Sequence, residues 1–363
     1  MKVLELVLKW TGGGVERYVE DLVAAASASG IECGVASVTT AVDSSRVDGA
    51  GPLVSGGVKG ALIHGSAVSS FVADGGCDIV HIHGNNGLAF RFAHLVVKGG
   101  ARAIVHSHNS SFGNGSRGAK SLFTNVERKL YLKDCSGTLA CSRAAGDFLF
   151  AGGEYRVALN GIDVNRFAFN EASRSEVRAA YGIPNDAPVL GFAASFVDAK
   201  NPLFVLGVFE TYAKRNPDAR LLVCGDGDLL DAFKRQASVL ISEGRCVCAG
   251  RIVDVERYYS AMDLLLAPSK YEGLPINLIE AQATGLSIVM SSEITDEVVI
   301  APALCVRLAL DKGEASWANA VDVSLRRMRI RSVCEADVVK TAGYSQPECF
   351  GFVLNMYEEL AGR

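Results

Sequence analysis

Two glutamates in the second half of the chain lie in a segment that suits binding of a sugar or ribose. They are Glu272 and Glu280, within the sequence SKYEGLPINLIEAQATG that starts at Ser269. Gly273 and Pro275 are typical of a tight turn that enters a helix, and the apolar spacing that follows predicts that helix. Backbone N–H groups at a helix start attract anions, and carboxylates accept hydrogen bonds from hydroxyls. Two glutamates at this spacing are no evidence of a site by themselves, because helices contain many such pairs, whereas the whole string PSxxEGxPxxxxEAxAxG is far more specific.

A second candidate site follows the first predicted strand. The chain begins MKVLELVLKW and then passes through Gly12, Gly13 and Gly14 into a predicted helix. Glycines at such a turn let the backbone approach a diphosphate, and the helix dipole favours the negative charge. This pattern alone is weak, because any turn between a strand and a helix can contain glycine.

Four histidines end two other predicted strands. They are His81 and His83 in DIVHIH, and His106 and His108 in AIVHSH. The carboxyl ends of parallel strands meet at the edge where open α/β sheets bind ligands, so these side chains are candidates for ligand contact. No third metal ligand stands at a recognisable spacing, so we expect no metal site. One or two of the four can equally be hydrogen-bonded histidines of the core.

The composition is that of a well-packed globular protein. Hydrophobic residues make up 49% of the 363 residues and charged residues 21%. The formal net charge of −4 gives no basic excess for a phosphate backbone, which argues against nucleic-acid binding. The ten cysteines are scattered without a CxxC pair, so we expect buried, reduced thiols.

The sequence gives no indication of a membrane span. The N-terminal residues predict a strand and not a signal peptide, and no stretch approaches the roughly 18 apolar residues that a spanning helix needs. We therefore expect a cytoplasmic protein whose membrane association, if any, is peripheral. The segment 114–134 carries five Lys or Arg residues with Leu122, Phe123, Leu130 and Tyr131 between them. It is either a solvated helix with an ordinary buried face, the commoner case, or an interfacial patch for anionic lipid or a lipid-linked acceptor.

Apolar strand-like runs alternate with helical patterns along most of the chain, which is the pattern of parallel βαβ units. The length fits two domains of about 100–200 residues each. The segment 156–182 interrupts the alternation and predicts the connection between them, and a helical pattern over 347–360 ends the sequence. The predicted strands are 3–8, 78–83, 103–108, 137–141, 189–194, 219–224, 245–249, 264–267 and 287–290.

Short motifs along the chain resemble glycosyltransferase family 4, whose members are retaining enzymes of the GT-B fold. The motifs are GGVERYV (13–19), HSHN (106–109), ACSRAAG (140–146), NGID (160–163), AKNPLF (199–204), LLVCGDGDL (221–229), AGRIVDV (249–255) and PSKYEGLPINLIEAQATG (268–285). The chain is most similar to the branch that builds bacterial exopolysaccharides and capsules. The resemblance implies two Rossmann-like domains, 1–165 and 166–345, whose parallel sheets face each other across a cleft. It also implies a C-terminal helix, 346–363, that packs on the first domain.

The resemblance also implies roles for the residues that contact the sugar and the ribose. Glu280 would hold the ribose hydroxyls and Glu272 the transferred sugar. The backbone of Gly273, Leu274 and Pro275 would lie between these two contacts. A histidine of HSHN would lie beside the transferred sugar, and we favour His108 over His106, although strand alternation puts both on one face.

A further set of residues would contact the diphosphate. Gly13 and Gly14 would lie on the donor-phosphate side, and Lys200 would stabilise the leaving nucleoside diphosphate in place of a metal ion. Ser195 stands where the family usually has an arginine, which predicts weak donor affinity unless Arg251 supplies a second cation. Gly225 begins the loop in which the family has Gly-x-Gly. For that reason we do not interpret the D-x-D pattern of Asp226 and Asp228 as a metal site.

The implied activity is transfer of a sugar, with retention at the anomeric carbon, to a glycan or lipid-linked acceptor. The donor would be a nucleotide-diphosphate sugar, with UDP favoured, and no cofactor or metal is expected. In such enzymes the departing phosphate helps to deprotonate the acceptor hydroxyl, so no protein nucleophile is required. Two alternatives remain open. Ser195 is compatible with a catalytically silent, donor-binding partner of another transferase. The strand–helix alternation is compatible with a dehydrogenase or a sugar-phosphate epimerase, although the third glycine of a dinucleotide fingerprint is absent.

Overall fold

The structure, a computed structural model, describes residues 1–11, 13–55, 60, 65–112, 117–327, 331 and 334–362. The chain divides into two units. Unit 1 comprises Met1–Gly161 and Gln346–Arg363, and unit 2 comprises Ile162–Ser345. The boundary after Gly161 lies slightly before the predicted boundary at 165/166. The boundary after Ser345 falls at the predicted residue.

Unit 1 is built on a seven-stranded parallel sheet. Its strand order is β3-β2-β1-β4-β5-β6-β7, so the winding direction changes between β1 and β4, and ligands bind at such a point in open α/β sheets. The strands are β1 (Lys2–Val7), β2 (Glu32–Ser37), β3 (Gly49–Ala50), β4 (Ile79–His83), β5 (Arg102–Ser107), β6 (Cys135–Ala140) and β7 (Arg156–Val157).

Unit 2 repeats this arrangement with a six-stranded parallel sheet. Its order, β10-β9-β8-β11-β12-β13, again places the first strand of the unit beside the change of winding direction. The strands are β8 (Val189–Ala193), β9 (Arg220–Cys224), β10 (Cys246–Gly250), β11 (Leu264–Ala267), β12 (Ser287–Ser291) and β13 (Cys305–Leu308). The two sheets confirm the predicted pair of Rossmann-like domains.

Helices connect the strands in both units. They are α1 (Gly14–Ala28), α2 (Ser66–Gly75), α3 (Gly87–Lys98), α4 (Arg117–Tyr131), α5 (Arg143–Phe150), α6 (Glu171–Ala180), α7 (Pro202–Ala213), α8 (Leu230–Gln236), α9 (Ser238–Ser242), α10 (Val255–Ala261), α11 (Ile276–Ala283), α12 (Gly313–Arg326), α13 (Cys334–Val339) and α14 (Gln346–Ala361). Short 3-10 turns cover Leu132–Asp134, Asp198–Lys200, Asp296–Val298, Pro302–Leu304 and Leu310–Lys312, and a π-helical turn covers Lys340–Tyr344. None of the helices in the described parts of the chain is long and apolar enough to cross a bilayer.

The first strand and the last helix share one core. Strand β1 is buried on both faces because helices cover both sides of a parallel sheet, and Val3 and Val7 belong to the core there. Helix α14 places Phe350, Val353 and Tyr357 in the same cluster. The C-terminal helix therefore packs in unit 1, as the resemblance implies.

Most predicted strands are present with ends shifted by one or two residues, but four strands were not predicted. These are β2, β3, β7 and β13. The predicted connection over 156–182 is wrong in extent, because Arg156–Val157 pairs with β6 in unit 1. Its last part forms α6, whose N-cap Asn170 accepts a hydrogen bond from the backbone of Ser173 at 2.8 Å.

Candidate functional site

A pocket of about 420 Å³ opens in unit 1 where β1, β4 and β5 end. This volume is within the usual range for small-molecule sites. The predicted residues Gly13, Gly14 and His108 line it. An added Cβ at Gly14 would meet no atom within 4 Å, so the backbone there faces open space. Other polar residues of the lining, which the sequence analysis did not single out as a site, are Lys9, Thr11, Asn85 and Asn109.

The buried carboxylate of Glu16 fixes the loop before α1. Its side chain accepts hydrogen bonds from the backbone N–H groups of Thr11 and Gly13, each at 2.9 Å, and from the Thr11 hydroxyl. Carboxylates are stabilised at a helix N-terminus by the helix dipole. The Gly13 amide is therefore committed to Glu16, whereas Gly14 remains a candidate for approach by a ligand. Gly12 lies outside the described residues.

Beneath the pocket, imidazoles connect to a buried carboxylate. His108 Nε2 lies 2.9 Å from His83 Nδ1, and His83 Nε2 lies 2.7 Å from Glu5 Oε2. His81 Nε2 lies 3.2 Å from His106 Nδ1. Glu5, on β1, is fully buried and was not predicted as a site residue.

Sequence spacing indicated no third metal ligand, but the fold brings three of the four imidazoles together. Ring nitrogens of His81, His83 and His106 lie within 4.8 Å of one another, which is close enough to share a metal ion. The nitrogens of His83 are occupied by hydrogen bonds to Glu5 and His108, however, and His81 bonds to Tyr357 and His106. Hydrogen bonding therefore accounts for this cluster without an ion.

Burial determines the protonation of the cluster. It lowers the pKa of His83 to about 4, in the same direction as the neighbouring His81. It also holds the pKa values of His106 and His108 well below the usual range of imidazole. Burial alone would raise the pKa of Glu5, but His81 and His83 outweigh it and hold that pKa below its usual range. At pH 7 the cluster therefore contains an ionised Glu5 beside neutral His83, His106 and His108.

In unit 2, the loops after β8 and β11 bring Lys200 and Glu272 together. The Lys200 ammonium contacts the Glu272 carboxylate, and the Ser269 hydroxyl donates to that carboxylate at 2.8 Å. A backbone hydrogen bond of 2.8 Å from Lys270 to Ala199 joins the two loops. A cation and a carboxylate are thus adjacent where strands β8 and β11 end.

Helix α11 carries the second predicted glutamate. Glu272 precedes the helix, Gly273, Leu274 and Pro275 form a buried turn, and the helix begins at the next residue, as predicted. Glu280 accepts a hydrogen bond from the Tyr259 hydroxyl at 3.2 Å. Burial and the Glu280 carboxylate raise the pKa of Tyr259 well above its usual value, so this phenol stays protonated and donates.

The remaining predicted residues follow strand ends at the same edge of the second sheet. Ser195 is exposed two residues after β8, and Arg251 is exposed directly after β10. Gly225 follows β9 with φ near +140°, and a Cβ there would lie 2.0 Å from the Ala194 carbonyl oxygen. Glycine is therefore required where this loop packs against the backbone of Ala194. Asp226 and Asp228 are exposed on the same loop.

Comparison with known proteins agrees with the motifs. The model of "Glycosyltransferase Family 4" matches residues 12–166, and that of "Glycosyl transferases group 1" matches residues 173–318. EpsF of Bacillus subtilis, which is named as a glycosyltransferase, is 31% identical over 288 residues, covering 77% of this chain and 74% of EpsF. The chain belongs to glycosyltransferase family 4.

Other similar proteins include enzymes with stated substrates and a solved structure. An Escherichia coli UDP-Gal:alpha-D-GlcNAc-diphosphoundecaprenol alpha-1,3-galactosyltransferase is 26% identical over 229 residues, covering 59% of this chain and 58% of that enzyme. Anabaena HepE, solved in complex with UDP and glucose, aligns with a TM-score of 0.78 over 99% of this chain and all of HepE, at 17% identity. The structural match confirms the GT-B fold.

The structure distinguishes the positions of His106 and His108, which the sequence could not. His108 lines the pocket and His106 is fully buried below it. His83 also lines the pocket, although the sequence gave it no role distinct from the other strand-end histidines. One feature of the sequence could have identified Glu5 as a site residue. It is a single carboxylate within the buried strand KVLELV, and a buried carboxylate needs a partner.

Proposed function

We propose that the chain transfers a hexose from a nucleotide-diphosphate sugar, with UDP favoured, to a glycan or lipid-linked acceptor in surface polysaccharide synthesis. Retention at the anomeric carbon is part of the proposal. The names of EpsF and of the E. coli galactosyltransferase support the class of reaction, and HepE was solved with UDP and glucose. The observation that carries the proposal is the contact between Lys200 and Glu272, supported by Ser269.

The proposed chemistry needs a stabilised leaving group and an oriented sugar. Departure of the sugar leaves extra negative charge on the diphosphate, which the Lys200 ammonium would offset without a metal ion. Glu272 would accept hydrogen bonds from sugar hydroxyls and Glu280 from ribose hydroxyls. The acceptor hydroxyl would lose its proton to the departing phosphate, so the chain needs no carboxylate nucleophile.

A direct test combines nucleotide binding with turnover. We expect UDP to raise the melting temperature of the protein more than GDP or NAD does. UDP-hexoses should then be hydrolysed slowly or transferred when lipid-linked saccharides are supplied. Stabilisation by NAD, or binding of sugar nucleotides without any turnover, would contradict the proposal.

A matched pair of variants tests the site. Glu272→Gln should reduce turnover by roughly tenfold or more, because it weakens charge-assisted hydrogen bonds to the sugar. Glu243→Gln makes the same chemical change just before β10, and thus at the opposite edge of the sheet, and should leave turnover unchanged. Equal effects of the two substitutions would remove Glu272 from the site.

We further propose that α4 contacts the inner surface of a membrane. Leu122, Val126 and Leu130 are spaced along one face of this helix and are exposed by 67%, 46% and 50%. The opposite face is buried, where Glu127 pairs with Arg91. The ordinary buried face, which was the commoner expectation, therefore does not include Leu122 or Leu130. Residues 114–116 of the predicted patch lie outside the described residues.

Charge supports an anionic surface as the partner of α4. Lys129 and Lys133 are exposed close to the apolar face. Each basic residue near an anionic bilayer contributes about 1 kcal/mol of attraction, and inserted leucines add apolar burial. Sedimentation with phosphatidylglycerol vesicles should retain the protein, and Leu122→Ser with Leu130→Ser should release it. Val97→Ser, an exposed apolar control on α3, should not. Equal binding to phosphatidylcholine vesicles would contradict the charge contribution.

A further inference from the structure

Glu5 lies one hydrogen bond from His83 and two from His108, both of which line the pocket, and this placement gives it a role that the family motifs do not include. His108 lines the pocket, His83 contacts His108, and Glu5 contacts His83. All three side chains belong to unit 1, on or next to adjacent strands of its sheet. A change at Glu5 can therefore reach the pocket through two imidazole rings.

The hydrogen-bond network determines which nitrogen of each ring carries the proton. An ionised carboxylate only accepts hydrogen bonds, so His83 must donate to Glu5 through Nε2–H. His83 is neutral, so its Nδ1 carries no proton and must accept from His108 Nε2–H. Neutral His108 then has its proton on Nε2, and its Nδ1 is a hydrogen-bond acceptor. These tautomers are assigned from the network of partners.

The other groups around this chain are compatible with the same assignment. Tyr357 donates to Glu5 Oε1 at 2.7 Å, and His81 Nδ1 lies 2.6 Å from that hydroxyl and 3.2 Å from Glu5 Oε2. His81 therefore donates from Nδ1, and His106, which is neutral, carries its proton on Nδ1 beside His81 Nε2. His106 Nε2, which has no hydrogen-bond partner among the described residues, is then a bare lone pair rather than a buried donor.

Two further titratable groups face the cluster without adding charge. The Tyr18 ring packs against His83, His106 and His108 with centroids 5.2–6.0 Å apart. The Cys33 thiol lies 3.7 Å from Glu5 Oε1. Burial, followed by the Glu5 charge, raises the pKa values of both groups, so each stays neutral at pH 7. Among these groups and the three neutral histidines, Glu5 is the anion that orients the donors.

We propose that Glu5, acting through His83, is a positioning residue that holds His108 as a neutral hydrogen-bond acceptor for a hydroxyl group of the bound sugar. The proposal rests on the proposed function for its ligand. A neutral imidazole with a bare Nδ1 accepts from a hydroxyl and repels a phosphate oxygen, so the contact selects the sugar end of the donor. The opposite tautomer would offer an N–H and would favour the phosphate.

Nitrogen NMR of the protein labelled with 15N-histidine tests the tautomer directly, without any turnover. His108 should have a protonated Nε2 and a bare Nδ1, with its signals assigned from their loss in His108→Ala. A protonated Nδ1 in the wild-type protein would overturn the proposal. Stoichiometric zinc in the purified protein would do the same, because coordination would take the lone pairs that the network uses.

Two variants test whether Glu5 determines the tautomers of the histidines. In Glu5→Gln an amide N–H must face either His83 or Tyr357, so one of the two imidazole chains must change tautomer. Tyr357→Phe is the matched control, because it removes a donor to the same carboxylate and leaves the bond to His83 intact. We expect altered histidine signals in Glu5→Gln and an unchanged His108 in Tyr357→Phe. If all four imidazoles keep their tautomers in Glu5→Gln, Glu5 does not position them.

Turnover of a UDP-hexose tests the functional consequence. His83→Leu should lower kcat by roughly tenfold or more with little change in nucleotide affinity, and it should add nothing to His108→Ala in the double variant. His83→Gln should restore most of the loss, because its amide can donate to Glu5 and accept from His108. Multiplied effects in the double variant would show that the two residues act separately and would overturn the proposal. Absent turnover in the wild type, with the expected NMR result, would contradict the proposed function and leave the tautomer assignment standing.

Discussion

Lowering the pH from 7 to 5 is expected to destabilise unit 1 and to leave unit 2 almost unchanged. His83 and His106 are buried in neutral form, with pKa values of about 4 and well below 6.5, respectively. In the unfolded chain both imidazoles titrate near 6.5. Below that pH the unfolded chain binds more protons than the folded unit, so stability falls as the pH falls. The loss contributed by His83 ends near pH 4, where its ring also protonates in the folded unit.

The magnitude follows from the free energy of keeping each ring neutral. When the pKa in the unfolded chain is near 6.5, an imidazole that stays neutral in the folded unit lowers the free energy of unfolding by about 2 kcal/mol at pH 5. The two rings together lower it by about 4 kcal/mol. Half-buried His108 adds a smaller amount. Such a loss is a large fraction of the 5–15 kcal/mol that stabilises a typical domain. The Glu5 carboxylate adds little in this window, because its contribution is lost only below its unfolded pKa, near 4.5.

The chain contains a separate reporter for each unit. Of its two tryptophans, Trp10 is buried in unit 1 and Trp317 in unit 2, and all six histidines precede residue 109. Urea unfolding of the Trp317→Phe and Trp10→Phe variants at pH 7 and pH 5 therefore follows one unit at a time. The Trp10 midpoint should fall by about 1 M urea per buried imidazole, for a slope of about 2 kcal/mol/M. If it falls no further than the Trp317 midpoint, the histidines are not held neutral by burial.

Further predictions concern unit 2. Glu280→Gln should weaken UDP binding by about tenfold or more in calorimetry, because a charged acceptor is lost, and an unchanged Kd would remove Glu280 from the site. Gly225→Ala should destabilise unit 2 by about 2 kcal/mol more than Gly244→Ala, whose φ is also positive but whose added Cβ meets no atom within 4 Å. Urea unfolding followed by Trp317 measures the difference, and equal losses would contradict the clash. Ser195→Arg should tighten UDP binding. If it has no effect although Lys200→Ala abolishes UDP binding, the phosphates lie elsewhere. Activity should persist in EDTA, and its loss on chelation with return on adding manganese would contradict metal independence.

The fold was predictable because long apolar strands and amphipathic helices alternate regularly. Leu264–Ala267 was predicted with both ends correct, since four apolar residues are bounded by polar and turn residues. Strands β3 and β7 have only two residues each, which is too short for any periodic signal. Sequence patterns therefore missed the short strands at the two edges of the first sheet, and they also missed the six-residue inner strand β2 and the last strand of the second sheet, β13.

The candidate site was predicted where its residues are close in sequence, and missed where they are distant. Glu272 and Glu280 belong to one short segment, in which the turn residues placed Glu272 before the helix and helix periodicity placed Glu280 within it. Alternation put His106 and His108 on one face, but β5 ends at Ser107 and the rule no longer applies to His108. Glu5 meets Tyr357 across 352 residues, a contact that no local pattern encodes.

The return of α14 to unit 1 has a consequence for the order in which the chain can fold during synthesis. Unit 2 is one continuous segment, whereas unit 1 needs residues from both sides of it. The ribosome therefore completes unit 2 while Phe350, Val353 and Tyr357 are still missing from the first core. Until they are synthesised, the core of unit 1 is incompletely packed and Glu5 lacks the hydrogen bond from the Tyr357 hydroxyl. We expect nascent chains that end before Gln346 to show a protease-resistant unit 2 and a protease-sensitive unit 1, although unit 1 is translated first.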